Sequence, residues 1–160
     1  MITLALPGLD ATRRLAVTFA SVLEPADVVL LEGSVGAGKT TFVALLGSEL
    51  GVLEPVRSPT FTVAHRYELA DGRTLAHLDL YRDRGTLDQQ AWADLEPYFE
   101  DATFVCIEWP ATGLPWFGDR IRWRLGLEIV DEHTRLARIQ GADPVRQAAA
   151  VDAIAATFVP

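Results

Sequence analysis

The sequence predicts an α/β fold with a mixed, mainly parallel sheet and a hairpin in the middle of the chain. Two four-residue apolar runs, 28–31 and 104–107, are typical of strands buried on both faces. Asp71-Gly72 stands between two partly alternating segments and is typical of a hairpin turn. The chain has 160 residues, of which 49% are hydrophobic, so we expect a single domain over residues 1–160 with a sizeable core.

The first third of the chain alternates between helix, strand and helix. Asp10 is the predicted N-cap of a first helix, whose apolar face would consist of Leu15, Phe19, Val22 and Leu23. A strand at 28–32 precedes a glycine-rich segment. The helix after that segment is expected to end near Leu50, because Gly51 is a typical helix stop.

The middle and the end of the chain supply the rest of the predicted sheet. A strand that begins with 58–62 and runs to about Tyr67 pairs with a second strand at 74–80, and a short polar helix follows from about Leu87 to Leu95. Segments 121–130 and 135–139 are predicted to form a late antiparallel pair. Asp143-Pro144 predicts the cap and first position of a terminal helix, with an apolar face made of Val151, Ile154, Ala155 and Phe158.

A phosphate-binding loop is the strongest functional signal in the sequence. Residues 33–40 read G-S-V-G-A-G-K-T, which matches the G-x-x-x-x-G-K-[ST] pattern between a buried strand and a helix. Backbone N–H groups of such a loop surround a polyphosphate at the positive end of the helix, and a lysine reaches the β- and γ-phosphates. Lys39 is the only lysine among 14 lysine and arginine residues, at a position where a planar guanidinium would substitute poorly.

We therefore predict that the chain binds a nucleoside triphosphate. The alternative interpretation of the same residues is a glycine-rich surface turn without a ligand. The expected nucleotide-binding residues of the loop are Gly33, Gly36, Ala37, Gly38, Lys39, Thr40 and Thr41.

A magnesium site is predicted beside this loop. Thr40 would provide a hydroxyl ligand, and a carboxylate at the end of a neighbouring strand would complete the site. Two acids compete for this place, Glu108 directly after the second apolar run and Asp79 near the end of the hairpin strand. Either could instead be an ordinary strand-end acid facing solvent. Trp109 follows Glu108 and would line the site or pack in the core.

Three further features have both a functional and a structural interpretation. The hydroxyls of 58–62 could close over the γ-phosphate or simply mark the polar start of a strand. His77 is interpreted as a packed strand residue rather than a base or metal ligand. Arg82 and Arg84 could clamp phosphates or form surface salt bridges.

Charge and cysteine content exclude some function classes. The net charge is −8, so the chain has no electrostatic footprint for strong direct binding of nucleic acid by itself. Cys106 is the one cysteine, so there is no disulfide framework, and its apolar run predicts a buried core residue. No signal-peptide pattern or long apolar stretch is visible, and we expect a cytoplasmic protein with no membrane contact.

Four motifs occur in an order and spacing that resemble the TsaE family of small bacterial ATPases, which is needed to form threonylcarbamoyladenosine (t6A) in tRNA. They are L-E-G-S-V-G-A-G-K-T-T-F at 31–42, S-P-T-F-T at 58–62, H-L-D-L-Y-R at 77–82 and I-E-W-P at 107–110. The resemblance implies a three-layer P-loop NTPase-like fold and Mg²⁺-dependent ATP binding with slow hydrolysis. It also implies partnership with TsaD, the threonylcarbamoyl-transferring subunit, and with TsaB.

The resemblance also implies roles for individual residues. By motif match, Thr40 and Glu108 would be metal ligands, Lys39 the phosphate lysine, and Asp79 and Trp109 activity-critical. Where the family holds adenine, Leu9 and Thr134 would lie near the base. Two positions depart from the family pattern, Ser34 where an aspartate is usual and Ala111 where an acidic or polar residue is common.

Two other functions compete with an ATPase at this stage. A P-loop kinase acting on a small metabolite is supported by Arg82-Asp83-Arg84, which follows a strand-end acid as an acceptor-and-lid segment would. A nucleotide switch that binds without hydrolysis would use the same loop. Product analysis separates the three, because a kinase needs an acceptor, an ATPase releases phosphate and a switch returns ATP unchanged.

Overall fold

A computed structural model of the chain describes residues 1–59, 63–81 and 87–158. Within these ranges the strands are β1 Ile2–Pro7, β2 Val28–Glu32, β3 Ala64–Glu68, β4 Thr74–Asp79, β5 Phe104–Glu108, β6 Ile121–Ile129 and β7 Thr134–Gly141. The helices are α1 Gly8–Val22, α2 Lys39–Leu50, α3 Gln89–Glu100, α4 Leu114–Phe117 and α5 Pro144–Phe158, with short 3₁₀ turns at Pro110–Thr112 and Gly118–Arg120.

The strands form one sheet in the order β1-β7-β6-β2-β5-β4-β3. Strand β2 pairs in parallel with β5 and β6, and β5 pairs in parallel with β4. The hairpin β3–β4 and the pairs β6–β7 and β7–β1 are antiparallel. The predicted mixed sheet is therefore confirmed, with its parallel pairs confined to the middle.

Two apolar clusters, one on each face of the sheet, make the three layers. In β2, Val29 and Leu31 contribute to the cluster shared with α1, α2 and α5, whereas Val28 and Leu30 contribute to the cluster shared with α3 and α4. Burial of all four residues explains why this strand has an unbroken apolar sequence rather than an alternating one.

The loop that follows β2 lies where the parallel strands end. Because β2, β4 and β5 run in the same direction, their carboxyl ends meet at one edge of the sheet, and α2 begins there. Ligands of open α/β sheets bind outside this edge. Among the helices in the described ranges, none is both long enough and apolar enough to span a lipid bilayer.

The structure corrects the predicted starts of two helices. Helix α1 begins at Gly8, directly after β1, so Asp10 lies in its first turn and Pro7 takes the N-cap position. Strand β1 was not predicted, although its residues alternate in burial. Helix α3 begins at Gln89 after Asp88, whose side chain accepts a hydrogen bond from the Ala91 N–H, and it continues to Glu100. The sequence prediction missed this cap and ended the helix too early.

The terminal helix has a different buried side from the predicted one. Ala150 is buried, and Ile154 and Phe158 pack partly buried against the same cluster. Val151 is 49% exposed and Ala155 is exposed, so both were wrongly assigned to the apolar face. Leu23, predicted on the apolar face of the first helix, lies at the C-cap position just beyond α1, and it packs partly buried against the same cluster.

Candidate phosphate-binding site

The loop between β2 and α2 curls tightly because glycine occupies its strained positions. Gly33 has a φ of +140°, and a Cβ there would lie 2.2 Å from the carbonyl oxygen of Leu127 in β6. Gly38, the N-cap of α2, has a φ of +103°. The backbone of 33–38 can therefore pass close to β6 and turn into the helix. The first N–H groups of α2 have no intrahelical partner and are available to a ligand held by the loop.

Lys39 is held inside this loop. The residue is only 4% exposed. Its Nζ donates hydrogen bonds to the carbonyl oxygens of Gly33 at 2.9 Å and Ser34 at 3.0 Å. The ammonium also lies 4.0 Å from the centre of the Trp109 ring, at cation–π distance. Burial lowers the pKa of Lys39, while the negative charges of Glu108 and Asp79 act in the opposite direction.

Glu108 connects the loop helix with the neighbouring strands. It is 3% exposed, and its Oε1 accepts a hydrogen bond from the Thr40 hydroxyl at 2.7 Å. The same Oε1 lies 2.8 Å from Nε2 of His77, which is fully buried in β4. The structure thus places the two predicted metal ligands side by side, and it adds a histidine that the sequence assigned to packing alone.

Asp79 stands beside Glu108 at the end of the adjacent strand. The two residues are opposite each other in the parallel register of β4 and β5. Oδ1 of Asp79 accepts a hydrogen bond from the backbone N–H of Tyr81 at 3.0 Å. Both acids that competed for the metal position in the sequence therefore lie at the same site, with Glu108 the one that contacts Thr40.

Trp109 lines the site rather than the core. Its backbone is in the left-handed region, with a φ of +56°, and its N–H donates to the carbonyl oxygen of Leu31 at 3.2 Å. The Tyr81 ring lies against it, with ring centres 4.8 Å apart. A bulky residue rarely adopts this backbone conformation, so the surrounding contacts must hold it there.

A cavity of about 300 Å³ lies over these side chains and extends from the loop to Tyr81. Its walls include Lys39, Thr40, Asp79, Glu108 and Trp109, which are the predicted catalytic and metal residues. Ser58 also lines it, whereas residues 60–62 of the hydroxyl-rich segment and the candidate clamps Arg82 and Arg84 lie outside the described residues.

A second cavity of about 270 Å³ lies on the other side of the loop, between α1 and the β6–β7 turn. Leu9, predicted near the base, lines it together with Thr41. On the side of the turn, the lining residues are Glu132, His133 and Arg135 rather than the predicted Thr134. Thr134 instead pairs with Pro7 in the sheet, next to the residues that line the cavity.

The β6–β7 turn is fastened both to α1 and to the loop. The Gly8 N–H donates to the His133 carbonyl oxygen at 2.8 Å, and Arg135 reaches the Gly36 carbonyl oxygen at 3.5 Å. Within the turn, Oδ1 of Asp131 accepts backbone hydrogen bonds from His133 and Thr134, which lower the pKa of this carboxyl. The turn, α1 and the phosphate loop therefore enclose this second cavity from three sides.

Comparison with known proteins agrees with this geometry. The sequence model described as "Threonylcarbamoyl adenosine biosynthesis protein TsaE" matches residues 6–137, which include both cavities and every strand of the parallel centre. The chain belongs to the TsaE family.

Curated members of the TsaE family are similar to this chain over most of its length. The tRNA threonylcarbamoyladenosine biosynthesis protein TsaE of Streptomyces coelicolor is 39% identical over 121 residues, which cover 74% of this chain and 81% of that protein. The protein of the same name from Aquifex aeolicus is 38% identical over 137 residues, covering 81% and 89%. The crystal structure of Bacillus subtilis YdiB has the same fold, with a TM-score of 0.70 at 24% identity and coverage of 95% and 93%.

Proposed function

We propose that this TsaE-family chain is an ATP-binding, Mg²⁺-dependent ATPase that is slow by itself. We further propose that it acts with a TsaD–TsaB complex in the threonylcarbamoylation of adenosine in tRNA. The tRNA role is supported by the family and by the names of the relatives, which are TsaE proteins of t6A biosynthesis. The ATPase role is supported by the chemistry of the site.

The observation that carries the ATPase proposal is the 2.7 Å hydrogen bond between Thr40 and Glu108, next to the buried Lys39 ammonium. Mg²⁺ prefers oxygen ligands, keeps several waters and in nucleotide sites takes others from the phosphates. A hydroxyl and a carboxylate beside a phosphate loop fit this donor set, so Thr40 and Glu108 are the residues that would hold the ion. Bound there, Mg²⁺ would neutralise charge on the phosphates.

The chain's own groups have separate tasks in this proposal. Backbone N–H groups at the start of α2 would bind the phosphate oxygens, and Lys39 would turn its ammonium from loop carbonyls toward the β- and γ-phosphates. Asp79 lines the same cavity and is available to orient the attacking water. The Trp109 and Tyr81 rings pack against each other at one side of the cavity, and there they would limit the access of bulk water to the reacting phosphate.

Slow hydrolysis by the chain alone is supported by the charges around the phosphate end. Among the described residues that line the cavity, Lys39 is the one cationic side chain. An arginine provided by a partner can raise the rate of phosphoryl transfer by roughly 10³- to 10⁵-fold. The net charge of −8 also suits docking beside basic, tRNA-binding partners rather than direct binding of RNA.

The test measures phosphate release from ATP by the pure chain, then with TsaD and TsaB, then with tRNA added. We expect weak Mg²⁺-dependent release that changes when the partners are present, and no release by a Thr40→Ala control. Rapid turnover that no partner alters would contradict the proposal. Transfer of the phosphate to a small acceptor would identify a kinase, and recovery of intact ATP under every condition would identify a switch.

A further inference from the structure

We propose that His77 is a positioning residue for the metal site, which acts by fixing the carboxylate of Glu108 against Thr40. The inference rests on the proposed Mg²⁺-dependent nucleotide binding, and it assigns a function to a histidine that the sequence pattern placed in the core.

The contact is short and fully enclosed. Nε2 of His77 lies 2.8 Å from Oε1 of Glu108, with His77 fully buried and Glu108 3% exposed. A carboxylate oxygen accepts but does not donate, so the hydrogen of this bond belongs to Nε2. Oε1 therefore accepts two hydrogen bonds, one from His77 and one from the Thr40 hydroxyl at 2.7 Å.

Two donors on a single oxygen fix the orientation of the carboxylate. A glutamate side chain has three rotatable bonds, and holding it in one arrangement when a ligand binds has an entropic cost. In this site the arrangement exists before a nucleotide arrives, because His77 and Thr40 approach Oε1 from β4 and α2. Outer partners of this kind orient metal-binding groups and tune their affinity.

Packing alone does not account for a histidine at this position. Among the described residues, Nδ1 of His77 has no hydrogen-bond partner although it is buried. A buried nitrogen without a partner is unfavourable, and an apolar side chain would fill the same space without that penalty. The unfavourable Nδ1 is consistent with a requirement for Nε2 at Glu108.

The register of the sheet explains why His77 reaches Glu108. His77 lies opposite Cys106, and Asp79 lies opposite Glu108, on neighbouring parallel strands. His77 therefore precedes Asp79 by two residues in β4, and both side chains lie on the face of the sheet that α2 covers. A residue at this place contacts Glu108 from below while the cavity side of the site remains open to the nucleotide.

The experiment compares the wild-type chain with His77→Leu, which fills the space without a donor, and with His77→Gln, whose amide N–H can donate toward Oε1. Leu75→Val is the matched control, because Leu75 is also fully buried on β4 and faces the same side of the sheet. Thermal unfolding of each variant comes first, and binding is measured below the lowest transition. If His77→Leu does not fold, His77→Asn replaces it, because its amide is too short to keep the contact.

Two binding constants are measured for each variant with a fluorescent, non-hydrolysable ATP analogue. One is the affinity in excess EDTA, and the other is the Mg²⁺ concentration that gives half of the metal-dependent gain in affinity. We expect His77→Leu to raise that Mg²⁺ concentration by about 10- to 100-fold. We expect His77→Gln to recover most of the loss, Leu75→Val to behave as wild type, and the EDTA affinities to agree within about twofold.

The outcomes separate this inference from the proposed function. If the nucleotide affinity of the wild-type chain does not depend on Mg²⁺, both the inference about His77 and the proposed Mg²⁺-dependent function are overturned. A Mg²⁺-dependent wild type with an unchanged His77→Leu variant would overturn only the role of His77. Equal losses in His77→Leu, His77→Gln and Leu75→Val would also overturn it, since they would indicate a general loosening of β4.

Discussion

The close approach of the phosphate loop to β6 predicts a large effect for Gly33→Ala. A Cβ at this position would lie 2.2 Å from the Leu127 carbonyl oxygen and 3.2 Å from the Ala37 Cβ. The obstacle is backbone in a buried strand, which cannot rotate away as a flexible side chain could. The φ of +140° is also one that residues other than glycine rarely adopt.

The expected loss of stability is the sum of these two effects. Backbone strain at such a position costs about 1–3 kcal/mol, and forcing an extra methyl group into a packed site costs about 1–3 kcal/mol. We therefore expect the free energy of unfolding to fall by about 2–6 kcal/mol. Because relief of the clash moves the loop away from β6, nucleotide affinity should fall as well.

Gly72→Ala is the matched control. Gly72 has a positive φ of +84° in the β3–β4 turn, but a Cβ there would meet no atom within 4 Å. Only the strain remains, about 1–2 kcal/mol, and the site is untouched. Urea unfolding measures both free energies. A Gly33→Ala variant no less stable than Gly72→Ala, with normal nucleotide affinity, would refute the argument that contact with β6 shapes the loop.

Three further predictions concern the charges and rings of the site. Lys39→Ala should weaken nucleotide binding by about 10- to 150-fold, which corresponds to the loss of one charged hydrogen bond, and calorimetry measures the affinity. Thr40→Ala should chiefly abolish Mg²⁺-dependent turnover, which phosphate release measures. Glu108→Gln should strengthen nucleotide binding in EDTA, because it removes a negative charge near the phosphates, yet weaken it in Mg²⁺, and losses of similar size under both conditions would contradict this. Nucleotide addition should change tryptophan fluorescence through Trp109, which lines the cavity at the loop. The change should disappear in Trp109→Phe, since the other tryptophans line neither of the two cavities beside the loop: Trp92, Trp116 and Trp123.

The central strands and the loop could be predicted because their signals are local. The apolar run of β2, the glycine pattern of 33–40 and the stop at Gly51 each determine structure within a few residues. The predicted bounds of β2 and the end of α2 agree with the structure for this reason. The hairpin was also visible, because Asp71-Gly72 marks its turn directly.

The errors occur where a distant contact decides the outcome. Strand β1 is short and becomes a strand by pairing with β7, more than a hundred residues later in the chain. The buried side of α5 is set by its position against α1, where Ala150 rather than Val151 faces the cluster. Helical periodicity indicates that a helix is amphipathic, but two apolar stripes of similar strength need a partner to choose between them.

The same distinction explains which site residues the sequence could identify. Motifs predict that Lys39, Thr40 and Glu108 lie at one phosphate-binding site, but whether His77 meets Glu108 or points elsewhere depends on the register between β4 and β5. A shift of one residue would move every side chain of β4 to the other face. Arg135 was missed for a related reason, because its contact with Gly36 needs the β6–β7 turn folded over the loop.

The charges of the site explain why the proposed nucleotide binding would need a divalent cation. Lys39 provides one positive charge, whereas Asp79 and Glu108 stand opposite each other at adjacent strand ends with a carboxylate each. A triphosphate that entered this space alone would add its own negative charges to theirs, in surroundings where burial weakens screening by solvent. The loop's N–H dipoles and the single ammonium would offset only a small part of this negative charge, and the ammonium already donates hydrogen bonds to two loop carbonyls. A divalent cation held by Thr40 and Glu108 would reverse the sign of this balance, because the carboxylate that would repel a bare nucleotide would attract one that carries a metal ion.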